Sequence, residues 1–487
     1  MEELSRKFPW QFGSKLVVAK TDGEARPGAV DPTVAVTPAN VQVVRSALAR
    51  HGPAASDLKI ATYPFPAVDG LPPGVENLSA AAGDAWRIDA AATDEALTRP
   101  PQEALIRERS PDAVVTDFHF FWNSIIAADL RVPCFTYSVI GPFSSLALRH
   151  LRSAVGGSGS GSGPQEVTVP GFPPPEIRIP VAELPEFLRS QQKLGCLSPS
   201  MAALGRCSSL AVNTFLEMER PYCEMCVRNG YVKRAYFVGP VLLTLPPAGA
   251  SGGESPCVKW LGSKTSCSMV CVCFDTYAAI SGHQLRELAL GLEASGKPFL
   301  PVVRADGWAP PDGWEESVGE RGMLMRGWAP QTTILAHPAV SAFMTHCGSS
   351  SLLEAAAAGV PMLTPDVAAG VRPVHRGEAA DGCARDRGWV WSGAWSTRYD
   401  EIEKDVVPDV VAWAVARFLE PGGAGQAARG RAQELAAQAR AAVAEGGSSS
   451  RDLCRLIDDM IEARTAAGGR TSPSIAPVTS SNNADGE

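Results

Sequence analysis

Residues 328–361 read WAPQTTILAHPAVSAFMTHCGSSSLLEAAAAGVP, and this stretch decides the fold. Val340–Thr345 has the length and composition of a buried strand, Ser349 opens an Ala-rich helix, and Gly359 followed by Pro361 ends it. A strand that runs into a helix start across His346-Cys347-Gly348 presents the first helical N–H groups at a sheet edge, where they lack internal partners. That arrangement is a ready anion site. Ser349, Ser350 and Ser351 add hydroxyl donors, His346 adds another, and Glu354 lies one helical turn on, within reach of a sugar hydroxyl. Taken singly, a strand–Gly–Ser–helix unit is more often an ordinary βα element with a serine N-cap.

The same alternation runs outward in both directions, which predicts α/β architecture with parallel sheets. Toward the N-terminus, strands are expected at Thr33–Thr37, Ala113–Thr116, Cys134–Ser138, Leu210–Asn213 and Tyr236–Pro240, with helices at Val41–Arg50 and Trp122–Leu130. Nearer the quoted stretch, Met269–Phe274 and Phe299–Arg304 read as strands and Gly282–Ala294 as a helix. Pro301 interrupts the second of these strands, which a central strand should not tolerate. Helices follow at Asp409–Leu419, Gln426–Glu445 and Ser449–Arg464. Ser153–Pro164 is a flexible linker by composition. Pro246–Glu254 (PPAGASGGE) marks the domain boundary. The expected division is 1–245, a linker at 246–256, 257–465, and a disordered tail at 466–487.

A chain of 487 residues is too long for one core. Its net charge of −8 argues against nucleic acid or an anionic membrane as partner. No run approaches the roughly 20 apolar residues that cross a bilayer, and MEELSRKFPWQFG has no apolar core of signal-peptide type. A cytoplasmic monomer is the expectation. The 12 cysteines are scattered, so most are expected to be reduced and buried. Cys223 and Cys226 form a CxxC without a second pair or a histidine at ligand spacing, and no metal is expected. Cys271 and Cys273 alternate along a strand and read as core.

As a whole, the quoted string resembles the donor-binding signature of plant secondary-product UDP-glycosyltransferases: W-x-P-Q, H-C-G-W-N-S, x-x-E, then G-V-P and a closing acidic-Gln pair. The resemblance covers roughly residues 28–464. It implies a GT-B fold, two Rossmann-like domains facing across a cleft, with the acceptor in the N-terminal half and UDP-sugar in the C-terminal half. It implies inverting transfer of a sugar, glucose being the expected one, to a hydroxyl of a small lipophilic acceptor such as a flavonoid or phenolic. UDP-sugar is then a co-substrate, with no other cofactor. By the family pattern Trp328 stacks on uracil and Gln331 reaches the nucleoside, beside Ala329. Glu354 holds the ribose, and His346, Gly348, Ser350, Ser351 and Thr276 meet the diphosphate region. Found singly, each of these residues has a structural explanation; their joint spacing favours the site.

The departures bear on activity. Ser349 and Ser350 stand where the family has Trp and Asn, and Ala369-Gly370 fall where the acidic-Gln pair grips the sugar. Phe274-Asp275-Thr276 replaces F-G-S, so Asp275 brings a negative charge toward the diphosphate. At about 5 Å and an effective dielectric near 20, one such pair costs roughly 3 kcal/mol.

The family begins with a strand and then a loop bearing the histidine base. Here residues 1–24 hold no histidine, and KLVVAK (Lys15–Lys20) can imitate the first strand or the first helix but not both. If the first strand were lost, the sheet would be left with unpaired edges. Asp117 matches the family's acid partner. His119, two residues on, is the candidate substitute base, because in extended geometry the two side chains face one way. Losing a base costs roughly 10²–10⁴ in rate, so the competing expectation is a catalytically impaired relative with a binding or regulatory role.

Overall fold

A computed structural model of the chain describes residues 16–22, 29–49, 58–81, 84–155, 166–174, 176–180, 184, 188, 203–207, 209–244, 255–274, 280–304, 307–327, 329–345, 347–366, 370–374 and 407–468. The strands are β1 (Leu16–Asp22), β2 (Ala29–Val36), β3 (Lys59–Thr62), β4 (Ala113–Asp117), β5 (Cys134–Ser138), β6 (Glu166–Thr168), β7 (Arg178–Pro180), β8 (Ser209–Val212), β9 (Ala235–Phe237), β10 (Met269–Cys273), β11 (Phe299–Val303), β12 (Met325–Arg326), β13 (Val340–Thr345), β14 (Met362–Asp366) and β15 (Gly370–Val374). The helices are α1 (Val41–Ala49), α2 (Leu78–Ala81), α3 (Ala85–Thr93), α4 (Glu95–Arg109), α5 (Asn123–Asp129), α6 (Pro142–Val155), α7 (Leu216–Arg228), α8 (Pro256–Leu261), α9 (Gly282–Ala294), α10 (Trp314–Val318), α11 (Gln331–Leu335), α12 (Ser349–Ala358), α13 (Pro408–Phe418), α14 (Ala424–Val443) and α15 (Ser448–Gly468).

Seven strands form the first sheet, in the order β3-β2-β1-β4-β5-β8-β9. All run parallel except β1, which lies antiparallel between β2 and β4, with Leu16 opposite Ala35 and Thr116. The central place is therefore filled, by a strand that is altered in direction and not missing. The filling strand runs the wrong way because its link to β2, residues 23–28, is far shorter than the dozen or so residues a parallel crossover needs. The alternation fits both faces. Val17 joins Val34, Val115 and Phe135 under α1 and α15, while Leu16 joins Ala35, Val114 and Ile106 under α4 and α5.

The second sheet has the order β12-β11-β10-β13-β14-β15 and is parallel except for β15. Both faces of its central strands are apolar and covered. Cys271, Cys273, Phe343 and Leu352 lie on one side, and Val272, Met344, Leu288 and Val415 on the other. Pro301 sits inside β11 after all. The carbonyls of Phe299 and Val303 accept from Met323 and Gly327 on the β12 side, so residue 301 turns its backbone the same way. Its missing N–H faces a two-residue edge strand, and the ladder to β10 stays intact.

The halves are fastened together. The C-terminal helix α15 crosses back to the first sheet, burying Leu456, Ile457 and Met460 there, and Asp452 accepts from the Phe237 amide at 2.9 Å. Phe215 and Met218 of the first half pack on Leu353, Ala439 and Ala442 of the second. Pro256, the last expected linker residue, begins α8, and the final helix runs past the expected tail start to Gly468.

Candidate functional site

Ligands of open α/β sheets bind at the C-terminal strand edges. On the second sheet that edge carries α12, whose first residue Ser349 follows Gly348, a buried N-cap lacking a side-chain hydrogen bond. Cys347 takes φ 62 and so turns the chain from β13 into the helix. Ser350 is exposed on the first turn and Ser351 is buried. At the other end Gly359, φ 72, accommodates the left-handed cap that stops the helix before Pro361.

Gln331 opens α11, and its Nε2 donates to Glu354 Oε2 at 2.7 Å and lies 3.5 Å from Ser351 Oγ. Its amide N–H donates to the buried Ala329 carbonyl at 2.8 Å. Gln331, Ser351 and Glu354 are thus brought together, as their spacing implied, into a polar group at the N-terminal end of α12. Trp328, His346, Thr276 and Asp275 lie outside the described residues. Gly370, where one member of the sugar-gripping pair was expected, pairs with Asp366 in the antiparallel strand β15, and Ala369 lies outside the described residues.

On the first sheet, β4 ends at Asp117, 4% exposed, and the chain leaves extended geometry at once. The two side chains meet through a turn and not, as expected, along a strand. Asp117 Oδ1 accepts the His119 amide at 2.9 Å and lies 2.5 Å from His119 Nδ1. A carboxylate only accepts, so Nδ1 carries a proton, and in the neutral ring Nε2 is the basic nitrogen. Burial works to lower the His119 pKa, but the charge and hydrogen bond of Asp117, with a smaller push from Asp89, leave it raised above the ordinary histidine value. Burial, then the Asp117 charge, pushes the neighbouring Tyr137 phenol up.

A buried polar chain supports this turn. Asn123 Nδ2 donates to Thr116 Oγ1 at 3.1 Å and to Gln102 Oε1 at 3.0 Å, and Trp122 Nε1 donates to the same oxygen at 2.8 Å.

The reversal of β1 decides where a base can come from. Its C-terminal end, Asp22, pairs with Ala29 at the edge opposite Asp117. A loop following β1 therefore cannot serve the cleft edge, and His119 is the described histidine that meets Asp117. Cys223 and Cys226 are buried in α7, where burial and the Glu219 charge push both thiols up. Among the described residues no group of three or more His, Cys, Asp or Glu could hold a metal, and no helix is long and apolar enough to cross a membrane.

Sequence reasoning passed over Glu219, whose carboxylate is 4% exposed at the C-terminal edge of β8. Its Phe-Leu-Glu-Met-Glu context reads as an ordinary helix start; Pro221, two residues on, is the one hint of a kink.

Comparison with known proteins matches residues 260–369 to the family described as UDP-glucoronosyl and UDP-glucosyl transferase. The chain is 31% identical to scopoletin glucosyltransferase of Nicotiana tabacum over 447 residues, covering 88% of this chain and 92% of that protein. It is 30% identical to UDP-glucose flavonoid 3-O-glucosyltransferase 7 of Fragaria ananassa, with 88% and 90% covered. Among solved structures, the Glycyrrhiza uralensis UGT complexed with glycyrrhetinic acid 3-O-monoglucuronide superposes with a TM-score of 0.72 at 26% identity, covering 90% of this chain and 91% of that one. The fold is GT-B, and the chain belongs to the plant secondary-product UDP-glycosyltransferase family.

Proposed function

We propose that this chain transfers glucose from UDP-glucose to a hydroxyl of a small lipophilic plant metabolite of the flavonoid or phenolic kind. Relatives that act on scopoletin and on flavonoids support the acceptor class. Residues 1–245 hold the acceptor, residues 257–465 the nucleotide sugar, and 246–256 join them in a cytoplasmic monomer. Trp328, Ala329, Gln331 and Glu354 take the uridine side. His346, Gly348, Ser350, Ser351 and Thr276 take the diphosphate, whose charge the α12 amides stabilise in place of a metal.

His119 Nε2 accepts the proton of the acceptor hydroxyl while Asp117 orients and stabilises the imidazolium. The acceptor oxygen forms a bond to the anomeric carbon from the face opposite the diphosphate. The carbon–oxygen bond to UDP breaks, and UDP leaves with the electron pair, inverting the centre.

The observation that carries this reading is the 2.5 Å contact of His119 with Asp117 at the cleft end of β4. It supplies a base where the reversed β1 offers none. Incubation with UDP-glucose and a panel of flavonols and coumarins, followed by mass spectrometry, tests it. A product heavier by one hexose is expected, and its absence across the panel overturns transfer.

The same reversal of β1 favours a second reading, a catalytically impaired protein that still binds. Titration calorimetry with UDP separates the two. Micromolar UDP binding without glycoside selects the binding protein, and binding no tighter than millimolar removes the donor site from both.

A further inference from the structure

Glu219 is a buried carboxylate that the transfer chemistry does not use. Its oxygens accept from the Thr214 hydroxyl at 2.6 Å and from the Phe143 amide at 2.8 Å. Phe143 is the second residue of the 14-residue α6, so the charge sits at the positive end of a long helix. Gly141 closes the third side, since a Cβ there would collide with the carboxylate. Inside α7, Glu219 leaves helical geometry with φ −146 and ψ 40. The Tyr222 ring of the same helix stacks edge-on to Phe143 at 4.9 Å.

These contacts gather on one side, and the neighbouring residues reach the other half. Thr214 follows β8 and the turn to Gly141 follows β5, both at the ligand-bearing edge of the first sheet. Met218, the preceding residue, packs with Phe215 on Leu353 of α12. One short segment thus grips an acceptor-side turn through Glu219 and rests on the donor-side helix through its apolar neighbours.

We infer that Glu219 is a positioning residue for the acceptor, fastening the turn Ser138–Phe143 to the segment that sits on the donor helix. The carboxylate touches no reacting atom and acts through Phe143 and Thr214. The inference rests on the assignment of the acceptor to the N-terminal half.

The test uses the full chain, with UDP affinity from calorimetry and quercetin affinity, at saturating UDP, from tryptophan quenching. Glu219→Gln keeps the size but removes the charge facing α6. It is expected to weaken quercetin about tenfold while UDP affinity stays within about twofold, a charged hydrogen bond being lost on one side only. Gly141→Ala, whose methyl displaces the carboxylate, is expected to give the same signature. Added to Glu219→Ala it is expected to cost nothing further, since the methyl enters vacated space. Affinities for UDP and quercetin that fall together, or penalties at 141 and 219 that add, overturn the inference. If the wild type does not bind quercetin, the acceptor assignment fails instead, and amide exchange of Glu219→Gln decides the role of the carboxylate. Protection lost together at Ser138–Phe143 and at Phe215–Glu219, with Leu353 unchanged, upholds it, and loss confined to the first turn of α6 overturns it.

Discussion

Replacing His119 by glutamine interrogates the proton path directly. His119 Nδ1 lies 2.5 Å from Asp117 Oδ1, with the side chains 26% and 4% exposed. Glutamine retains an N–H for the carboxylate, so the turn after β4 should survive, but it cannot take a proton. Removal of a general base costs roughly 10²–10⁴ in rate, equivalent to about 3–5 kcal/mol of transition-state stabilisation. Initial rates of glycoside formation, followed by mass spectrometry from about pH 5.5 to about pH 9, measure this against the ordinary histidine value of about 6.5.

The raised His119 pKa places the rising limb of the wild-type rate above that ordinary value. His119→Gln should be flat and low. Asp117→Asn removes the charge that raises the pKa, so the limb should move to lower pH as its plateau falls. Stability runs the opposite way. The folded state holds the imidazole proton more tightly than the unfolded state, so the pair's stabilisation is complete below about pH 6.5 and is lost as pH rises through the folded pKa. Urea midpoints should therefore be higher near about pH 6 than near about pH 8, and His119→Gln should abolish that difference. A His119→Gln enzyme within about threefold of wild type at every pH would refute the assignment of the base.

Leu16→Ala should lower stability by about 2–5 kcal/mol in urea unfolding, because Leu16 is wholly buried in the reversed strand; a change under about 0.5 kcal/mol would show that β1 is not part of the core. Glu354→Ala should weaken UDP about 10- to 100-fold by calorimetry, since Gln331 loses its carboxylate partner and the proposed ribose contact goes with it, and unchanged affinity would move the nucleoside elsewhere. Gly359→Ala should destabilise by about 1–2 kcal/mol from its φ of 72, with UDP affinity unaltered, and a neutral effect in denaturant titration would contradict the left-handed cap.

Much was legible in the sequence because it depends on local pattern. The β13–α12 unit lies where its apolar run, serines and closing Gly-Val-Pro put it, and the bounds of β5, α9 and β13 match expectation. Buried strands of this kind announce themselves by unbroken apolar runs. Gln331, Ser351 and Glu354, grouped by their spacing in the sequence, are also neighbours in the fold.

What tertiary structure decided is direction and depth. A period-two apolar pattern reads the same from either end, so Leu16–Asp22 could not state its polarity; pairing with β2 and β4 fixed it and moved the base question to His119. Pro301 was tolerable because its bare nitrogen faces a two-residue edge, a fact of strand order that composition does not contain. Glu219 looked like any acid at a helix start until folding buried it against Gly141 and the end of α6. Sequence carries the elements and the lineage, because both are written in neighbouring residues. The direction of β1 and the joint between the halves depend on residues far apart in the chain, and only packing brings those together.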